Sequence, residues 1–141
     1  MATTVKLDAV LGYVPLFRGL SKRQLKHLAS LCEVADFMAG HTIVKEGTAG
    51  DAFYVVLKGQ AKVTANGRFI LRLVPGDHFG EIAALDGGER SASVISETPM
   101  TLAIMSRPAL LKALRDDTDL AFRLMTELAR MFRRVSKDAG R

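Results

Sequence analysis

The spacing of apolar residues divides the chain into a helical start, a strand-rich middle and a helical end. Between residues 4 and 30, leucines recur at the three- and four-residue spacing of a helix, with Ser21 placed to cap its N-terminus. The apolar positions Val5, Val10 and Leu11 suggest a shorter helix before it. The chain is therefore predicted to open with two short helices.

From residue 32 to residue 106 the pattern changes to short runs rich in Val, Ile and Phe, separated by glycine-containing turns. The pair Asn66-Gly67, with apolar residues on both sides, predicts a type I′ hairpin because both central positions of that turn need a positive φ. Regularly spaced short strands favour a sandwich or a jelly roll. The predicted strands cover residues 32–37, 41–45, 52–57, 60–64, 68–74, 91–96 and 100–105.

Helical spacing returns after Ser106, which is placed as an N-cap with Pro108 close behind it, where a missing N–H costs nothing. A last helix is predicted to begin near Asp117 or Thr118. Its apolar stripe consists of Leu120, Leu124, Leu128, Met131 and Val135.

The predicted fold class is mainly β with flanking helices. A β-roll, which is a jelly-roll-like double-stranded β-helix, covers residues 32–106. N-terminal helices precede it within residues 4–30, and two C-terminal helices follow within residues 107–135. With 141 residues, 48% of them hydrophobic, the chain has the length of one ordinary domain, and a single domain spanning residues 1–141 is predicted.

Charge and cysteine content narrow the function classes. Twenty Lys and Arg against fifteen Asp and Glu give a net charge of +5, which favours an anionic partner. The basic residues near the C-terminus are typical of a solvated helix face, since no recognition-helix pattern accompanies them. The one cysteine, Cys32, lies in an apolar stretch typical of a small buried hydrophobe.

The cellular location is predicted from what the sequence lacks. No apolar run approaches the roughly 18 residues of a membrane span, and the start MATTVKLDAV has neither the basic nor the apolar part of a signal peptide. A single cysteine fits a reducing compartment. A cytoplasmic location is therefore expected.

The segment FGEIAALDGGERSAS, residues 79–93, combines groups that suit a phosphate and a sugar. Gly80 permits close backbone approach, and the EIAAL after it has the composition of one helical turn. Arg90 follows Glu81 by nine residues across a glycine turn, so its guanidinium can return towards the helix start and donate two hydrogen bonds to a phosphate, with Ser91 donating a third. Because a carboxylate suits a sugar hydroxyl, the segment favours a ligand with both groups close together.

This segment resembles the phosphate-binding cassette of the cyclic-nucleotide-binding domains, found in the bacterial cyclic AMP receptor protein, kinase regulatory subunits and cyclic-nucleotide-gated channels. PLFRGLSKRQLKHLA resembles the family's entry helix, and IVKEGTAGDAFYVVLKGQAKV resembles the first half of its roll. VPGDHFGE resembles the approach to the cassette. The resemblance extends over residues 14–135.

The resemblance implies a set of ligand contacts. Glu81 would accept from the ribose 2′-hydroxyl, and Arg90 would pair with the exocyclic phosphate oxygens. Its other implied contacts are backbone groups of Gly80, Ile82 and Ala83, phosphate-flanking Ser91 and Ala92, base-lining Val63 and Leu71, and a lid formed by Arg130, Met131 or Arg134.

The resemblance also implies a regulatory sensor that is not an enzyme, with a cyclic nucleotide as its ligand and no metal. Ligand binding would move the helices from Arg107 onward. Members that favour cyclic GMP often have a threonine after the arginine, so Ser91 leaves both nucleotides open, with cyclic AMP favoured. The regulated effector stays open, because no DNA-binding domain follows before Arg141. Whether the chain is freestanding stays open as well. A monomer or a weak homodimer is expected.

Two other interpretations stay open at this point. In a ligand-free interaction scaffold, Arg90 and Glu81 would form a structural ion pair, because a buried charge without a partner is costly. His78, which precedes FGE, also resembles a cupin metal ligand, but that site needs further clustered ligands, and His27 and His41 stand apart in sequence. No Ser, Cys or Lys has the neighbours of an activated nucleophile.

Overall fold

The computed structural model of the chain describes residues 7–138, which form two compact units. A β unit covers residues 31–111, and a helical unit combines residues 7–30 with residues 112–138. The third helix lies within the β unit, and the fourth crosses the boundary between residues 111 and 112. Within residues 7–138, no helix is both long enough and apolar enough to cross a membrane.

The β unit contains eight strands in two four-stranded antiparallel sheets. One sheet has the order β1-β8-β3-β6 and the other has the order β2-β7-β4-β5. This arrangement confirms the predicted fold class. The strands are β1 (Glu33–Phe37), β2 (Thr42–Val44), β3 (Ala52–Lys58), β4 (Ala61–Ala65), β5 (Arg68–Leu73), β6 (His78–Phe79), β7 (Ser93–Ser96) and β8 (Met100–Ser106).

Burial explains why these runs become strands. β3 is buried along five consecutive residues, Ala52 to Val56, as expected of a strand covered on both faces. The apolar core joins side chains of both sheets: Val44, Ala52, Tyr54, Val56, Ala61, Leu73, Phe79, Val94, Met100 and Leu102. The hairpin between β4 and β5 turns at Asn66 and Gly67, whose φ values of 54° and 75° confirm the predicted turn.

The helices are α1 (Leu7–Leu11), α2 (Lys22–Ser30), α3 (Glu81–Asp86), α4 (Arg107–Asp116) and α5 (Thr118–Asp138), with a 3₁₀ helix at Pro15–Phe17. Ser21 caps α2 as predicted, since its Oγ accepts from the backbone N–H of Gln24 at 3.1 Å. In return, the backbone N–H of Ser21 donates to Oε1 of Gln24 at 2.9 Å. Ser106 likewise caps α4, and Asp117 caps α5.

In the helical unit, the Gln24 side chain joins α2 to the start of α5 by donating to Asp117 at 3.2 Å and to Asp119 at 2.9 Å. The predicted stripe on α5 is confirmed at Leu120 and Leu124, which are buried. It fails at Val135, which is 66% exposed, so the apolar face ends before the helix does.

Three details of the predicted elements need correction. β6 was not predicted, because two residues are too few to display an alternating pattern. The strand predicted over residues 91–96 begins only at Ser93, since Arg90 pairs through its backbone with Gly47 and Thr48 in the β2–β3 loop. The 3₁₀ helix was missed, and Val5 lies outside the described residues.

Candidate functional site

One cavity in the β unit gathers most of the residues that the sequence marks. Its volume is about 320 Å³, at the lower end of the range for small-molecule sites. The predicted residues that line it are Gly80, Glu81, Ile82, Ala83, Arg90, Ser91, Ala92, Val63 and Leu71. The lining residues that were not predicted as contacts are Val44, Leu73, His78, Phe79, Glu89 and Val94. Sheet β2-β7-β4-β5 therefore supplies an apolar wall, and the segment around α3 supplies the polar groups.

Arg90 is a buried cation on the cavity wall, with a side chain that is only 5% exposed. Its Nη2 donates to Asp51 Oδ1 at 3.2 Å, and its Nη1 donates to the Ala52 carbonyl at 3.5 Å. A guanidinium has five N–H donors, so these contacts within residues 7–138 leave donors for a further anion. Since Asp51 is 85% exposed, the charge that balances Arg90 lies at the surface.

The guanidinium of Arg90 lies over the ring of Tyr54, which in turn stacks on Phe79. Its Cζ lies 5.6 Å from the centre of the Tyr54 ring, a cation–π distance, and Tyr54 stacks on Phe79 with 4.7 Å between the ring centres. Burial raises the pKa of the Tyr54 hydroxyl, against the opposing effect of Arg90. The stack therefore places a fixed, desolvated cation beside the cavity, where an anionic ligand gains most.

Glu81, the first residue of α3, has a different partner. Its Oε1 lies 3.0 Å from Nδ1 of His78, and the two side chains are 19% and 8% exposed. Arg90 pairs instead with Asp51, so the Arg90–Glu81 ion pair that the scaffold interpretation invokes is not formed among the described residues. Glu81 and Arg90 therefore line one cavity without forming an ion pair with each other.

Glycine geometry brings these groups together. Gly80 precedes α3 with φ of +85°, a left-handed conformation that favours glycine. A Cβ there would lie 2.8 Å from both Arg90 Nη1 and the Ala52 carbonyl oxygen. Gly50 permits a second close approach, because a Cβ on it would overlap the Cβ of Ala83 on α3. Residues 80–83 can lie close to β3 and to the loop before it because Gly80 and Gly50 have no side chain.

The comparison with known families decides what this site is. A family model described as "Cyclic nucleotide-binding domain" matches residues 34–117, which is more than half of the chain. The matched span contains both sheets apart from the first residue of β1, and the whole of the cavity lining.

The chain belongs to the cyclic nucleotide-binding domain family.

Known relatives of this cyclic nucleotide-binding domain include bacterial regulators and protein kinases. The CRP-like cAMP-activated global transcriptional regulator of Mycobacterium tuberculosis is 30% identical over 137 residues, covering 94% of this chain and 61% of the regulator. A cGMP-dependent protein kinase of Toxoplasma gondii is 36% identical over 113 residues, covering 80% of this chain and 11% of the kinase. The chain thus spans about three fifths of the regulator's length and a small part of the kinase.

Solved structures support the same assignment. The catabolite activator protein of Thermus thermophilus superposes with a TM-score of 0.78 at 31% identity, over 89% of this chain and 62% of that protein. The predicted family and fold are confirmed by these matches.

Several predicted features of the domain stay predictions or are reinterpreted. The lid candidates Arg130, Met131 and Arg134 all lie on α5, in the helical unit, and their contact with a ligand is not tested. His78 pairs with Glu81, and no group of three or more His, Cys, Asp or Glu within residues 7–138 is placed to hold a metal ion. The ligand cluster of the cupin interpretation is therefore not formed in the described part of the chain.

Cys32 is also explained by its surroundings in the domain. Burial raises the pKa of its thiol to about 11. Since the thiolate is the nucleophilic form, a raised pKa disfavours reaction of this thiol near neutral pH. The sequence predicted a small buried hydrophobe, and the structure places Cys32 at intermediate burial.

Sequence reasoning missed Asp51, Tyr54 and the His78–Glu81 pair. Asp51 precedes Arg90 by 39 residues, and their contact depends on how the two sheets come together. The spacing of three residues between His78 and Glu81 is visible in the sequence. The pair nevertheless matches no simple periodicity, because His78 is on a strand and Glu81 is on a helix.

Proposed function

We propose that this chain binds a cyclic nucleotide monophosphate, cyclic AMP by preference, and acts as a regulatory sensor. The observation that carries the proposal is that the buried Arg90 and Glu81 line the same cavity. The apolar side chains of Val63 and Leu71, from sheet β2-β7-β4-β5, line it as well. A phosphate, a ribose and a base need these three kinds of contact together.

Each part of the ligand has a proposed partner. Arg90 donates two hydrogen bonds to the exocyclic phosphate oxygens, and Glu81 accepts from the ribose 2′-hydroxyl. Val63 and Leu71 pack on the base, which suits Leu71 because its side chain is 46% exposed and gains from being covered. The remaining contacts come from Ser91, Ala92 and the backbone of Gly80, Ile82 and Ala83, all of which line the cavity.

The base preference is tested together with binding itself. The Mycobacterium relative is named as cAMP-activated and the Toxoplasma relative as cGMP-dependent, and Ser91 suits either base. In calorimetric titrations we expect micromolar or tighter binding of both nucleotides, with cyclic AMP the tighter. Adenosine, which lacks the phosphate, is the control and should bind far more weakly.

Two other outcomes would change the proposal in different ways. Tighter binding of cyclic GMP would reverse only the base preference. Folded protein, freed of bound nucleotide, that gives no heat with either ligand would instead favour the scaffold, in which the Asp51 carboxylate is the charge that balances Arg90.

The proposed switch begins at Asp51. Its carboxylate holds Arg90, and its backbone carbonyl accepts from the backbone N–H of Arg107 at 2.7 Å, at the start of α4. The Arg107 side chain also donates to the Leu85 carbonyl in the last turn of α3 at 3.4 Å. A ligand that draws Arg90 and α3 towards itself therefore pulls on both attachments of α4, and this is how binding would reposition the C-terminal helices.

The switch predicts a specific spectral change. On adding saturating cyclic AMP to ¹⁵N-labelled protein, we expect amide shifts in α3 and also along α4 and α5, because α4 is attached to the cassette through Arg107 and Asp51. Arg107→Gln removes the guanidinium that donates to the Leu85 carbonyl of α3. This variant should keep the shifts in α3 and reduce those in α4. Shifts confined to the cavity lining in the unmodified protein would contradict the switch while leaving ligand binding intact.

A further inference from the structure

The pair formed by His78 and Glu81 is a feature of this chain that phosphate binding does not explain. His78 lies on β6, where its backbone is paired in register with Val55 of β3, and its ring centre lies 5.7 Å from that of Phe53. The imidazole is therefore fixed by a sheet, whereas Glu81 is the first residue of a six-residue helix. Of the two partners, the histidine is the one held rigidly by its surroundings.

Hydrogen-bond chemistry fixes how the two side chains interact. An ionised carboxylate only accepts, so a hydrogen bond across the 3.0 Å between Nδ1 and Oε1 needs its proton on Nδ1. This contact occupies Oε1 and leaves Oε2 able to accept from another donor. Both residues line the cavity, so that second oxygen belongs to a side chain at the cavity surface.

Holding the carboxylate matters because glutamate has several rotatable bonds. A free glutamate must give up much of its rotational freedom when a ligand orders it, and this loss opposes binding. A carboxylate already fixed by a neighbouring donor avoids part of that loss, as with the outer-shell partners that orient ligating groups in other sites.

We propose that His78 is a positioning residue that fixes Glu81 for the ribose 2′-hydroxyl and so lets the site discriminate ribose from 2′-deoxyribose cyclic nucleotides. The proposal rests on the function proposed above, in which Glu81 contacts the ribose. His78 itself touches Glu81 and acts on the sugar through it.

The test compares cyclic AMP with 2′-deoxy cyclic AMP in the unmodified protein and in two variants. Removing a hydroxyl that bonds to a charged group is expected to weaken binding to the unmodified protein about 10 to 150-fold. In His78→Phe, which keeps a ring on Phe53 but loses the donor, we expect that ratio to fall at least threefold. In His78→Asn, whose amide nitrogen can replace Nδ1, we expect most of the ratio to return.

The ratio isolates positioning from a general structural effect, because damage to the fold weakens both nucleotides alike. A ratio unchanged in His78→Phe overturns the proposal and leaves the proposed function standing. A ratio near one in the unmodified protein overturns the Glu81–ribose contact and this proposal with it. Failure of the unmodified protein to bind either nucleotide removes the proposed function itself.

A second measurement does not depend on how the two His78 variants fold. In the ¹⁵N spectrum of the imidazoles, His78 of the unmodified protein should carry its proton on Nδ1. The chain has three histidines, so His27→Asn and His41→Asn assign the remaining signal to His78. An unprotonated Nδ1 on His78 would overturn the proposal, since two acceptors do not hydrogen-bond.

Discussion

Replacing Arg90 with alanine is expected to weaken cyclic AMP binding roughly 10 to 150-fold, the equivalent of about 1.5 to 3 kcal/mol for hydrogen bonds to a charged group. The reason is that Arg90 is the cation on the cavity wall that is both buried and backed by aromatic rings. Calorimetric titration of the two proteins measures the difference directly. Arg90→Lys keeps the charge but loses the planar fork, so its affinity should fall between those of the alanine variant and the unmodified protein.

A matched control separates this effect from a simple loss of positive charge. Arg72 lies on β5, pairs with Glu97 on the surface at 2.6 Å and does not line the cavity. Arg72→Ala therefore removes the same side chain and should leave the affinity within about twofold, because charges at the surface are screened. Equal affinities in the Arg90→Ala and unmodified proteins would show that the phosphate does not bind at this arginine.

Gly80→Ala is expected to have the second largest effect, reducing both stability and affinity. The left-handed φ of +85° costs a non-glycine residue about 1 to 2 kcal/mol. The new methyl would also lie 2.8 Å from Arg90 Nη1, so the guanidinium must leave its position beside Tyr54. We expect cyclic AMP affinity to fall at least tenfold, measured by calorimetry, with a lower unfolding midpoint in urea.

Gly76→Ala is the control for the backbone part of this effect. Gly76 has φ of +96°, yet a Cβ there would meet nothing within 4 Å. It should therefore lose only the stability that the left-handed backbone costs a non-glycine residue, and keep its affinity. If the two alanine variants lost affinity equally, the cause would be backbone strain rather than displacement of Arg90.

The features that the sequence predicted well are those set by neighbouring residues. The hairpin at Asn66-Gly67 and the cap at Ser21 depend on the local backbone, and both appear as predicted. Arg90 and Glu81 were found because they flank one short glycine-containing segment. Their presence on one cavity wall follows from that segment folding back on itself.

The features that were not predicted depend on contacts between residues far apart in sequence. The partner of Arg90 is on a loop 39 residues earlier, and no local pattern indicates which acidic residue that is. The buried Glu127 on α5 is a similar case, because it interrupts an apolar stripe and lies 3.9 Å from Arg18, a residue near the other end of the chain. Such pairs become visible only once tertiary packing is known.

The exposed position of Asp51 has a consequence for the folding of the β unit. A buried guanidinium with no counter-charge would oppose folding, so a domain that relied on phosphate for balance would fold only where nucleotide was plentiful. Here a carboxylate in contact with solvent supplies that balance. The β unit thus carries in its own sequence the charge that offsets the burial of Arg90, and its folding does not depend on an anion from outside to supply that charge.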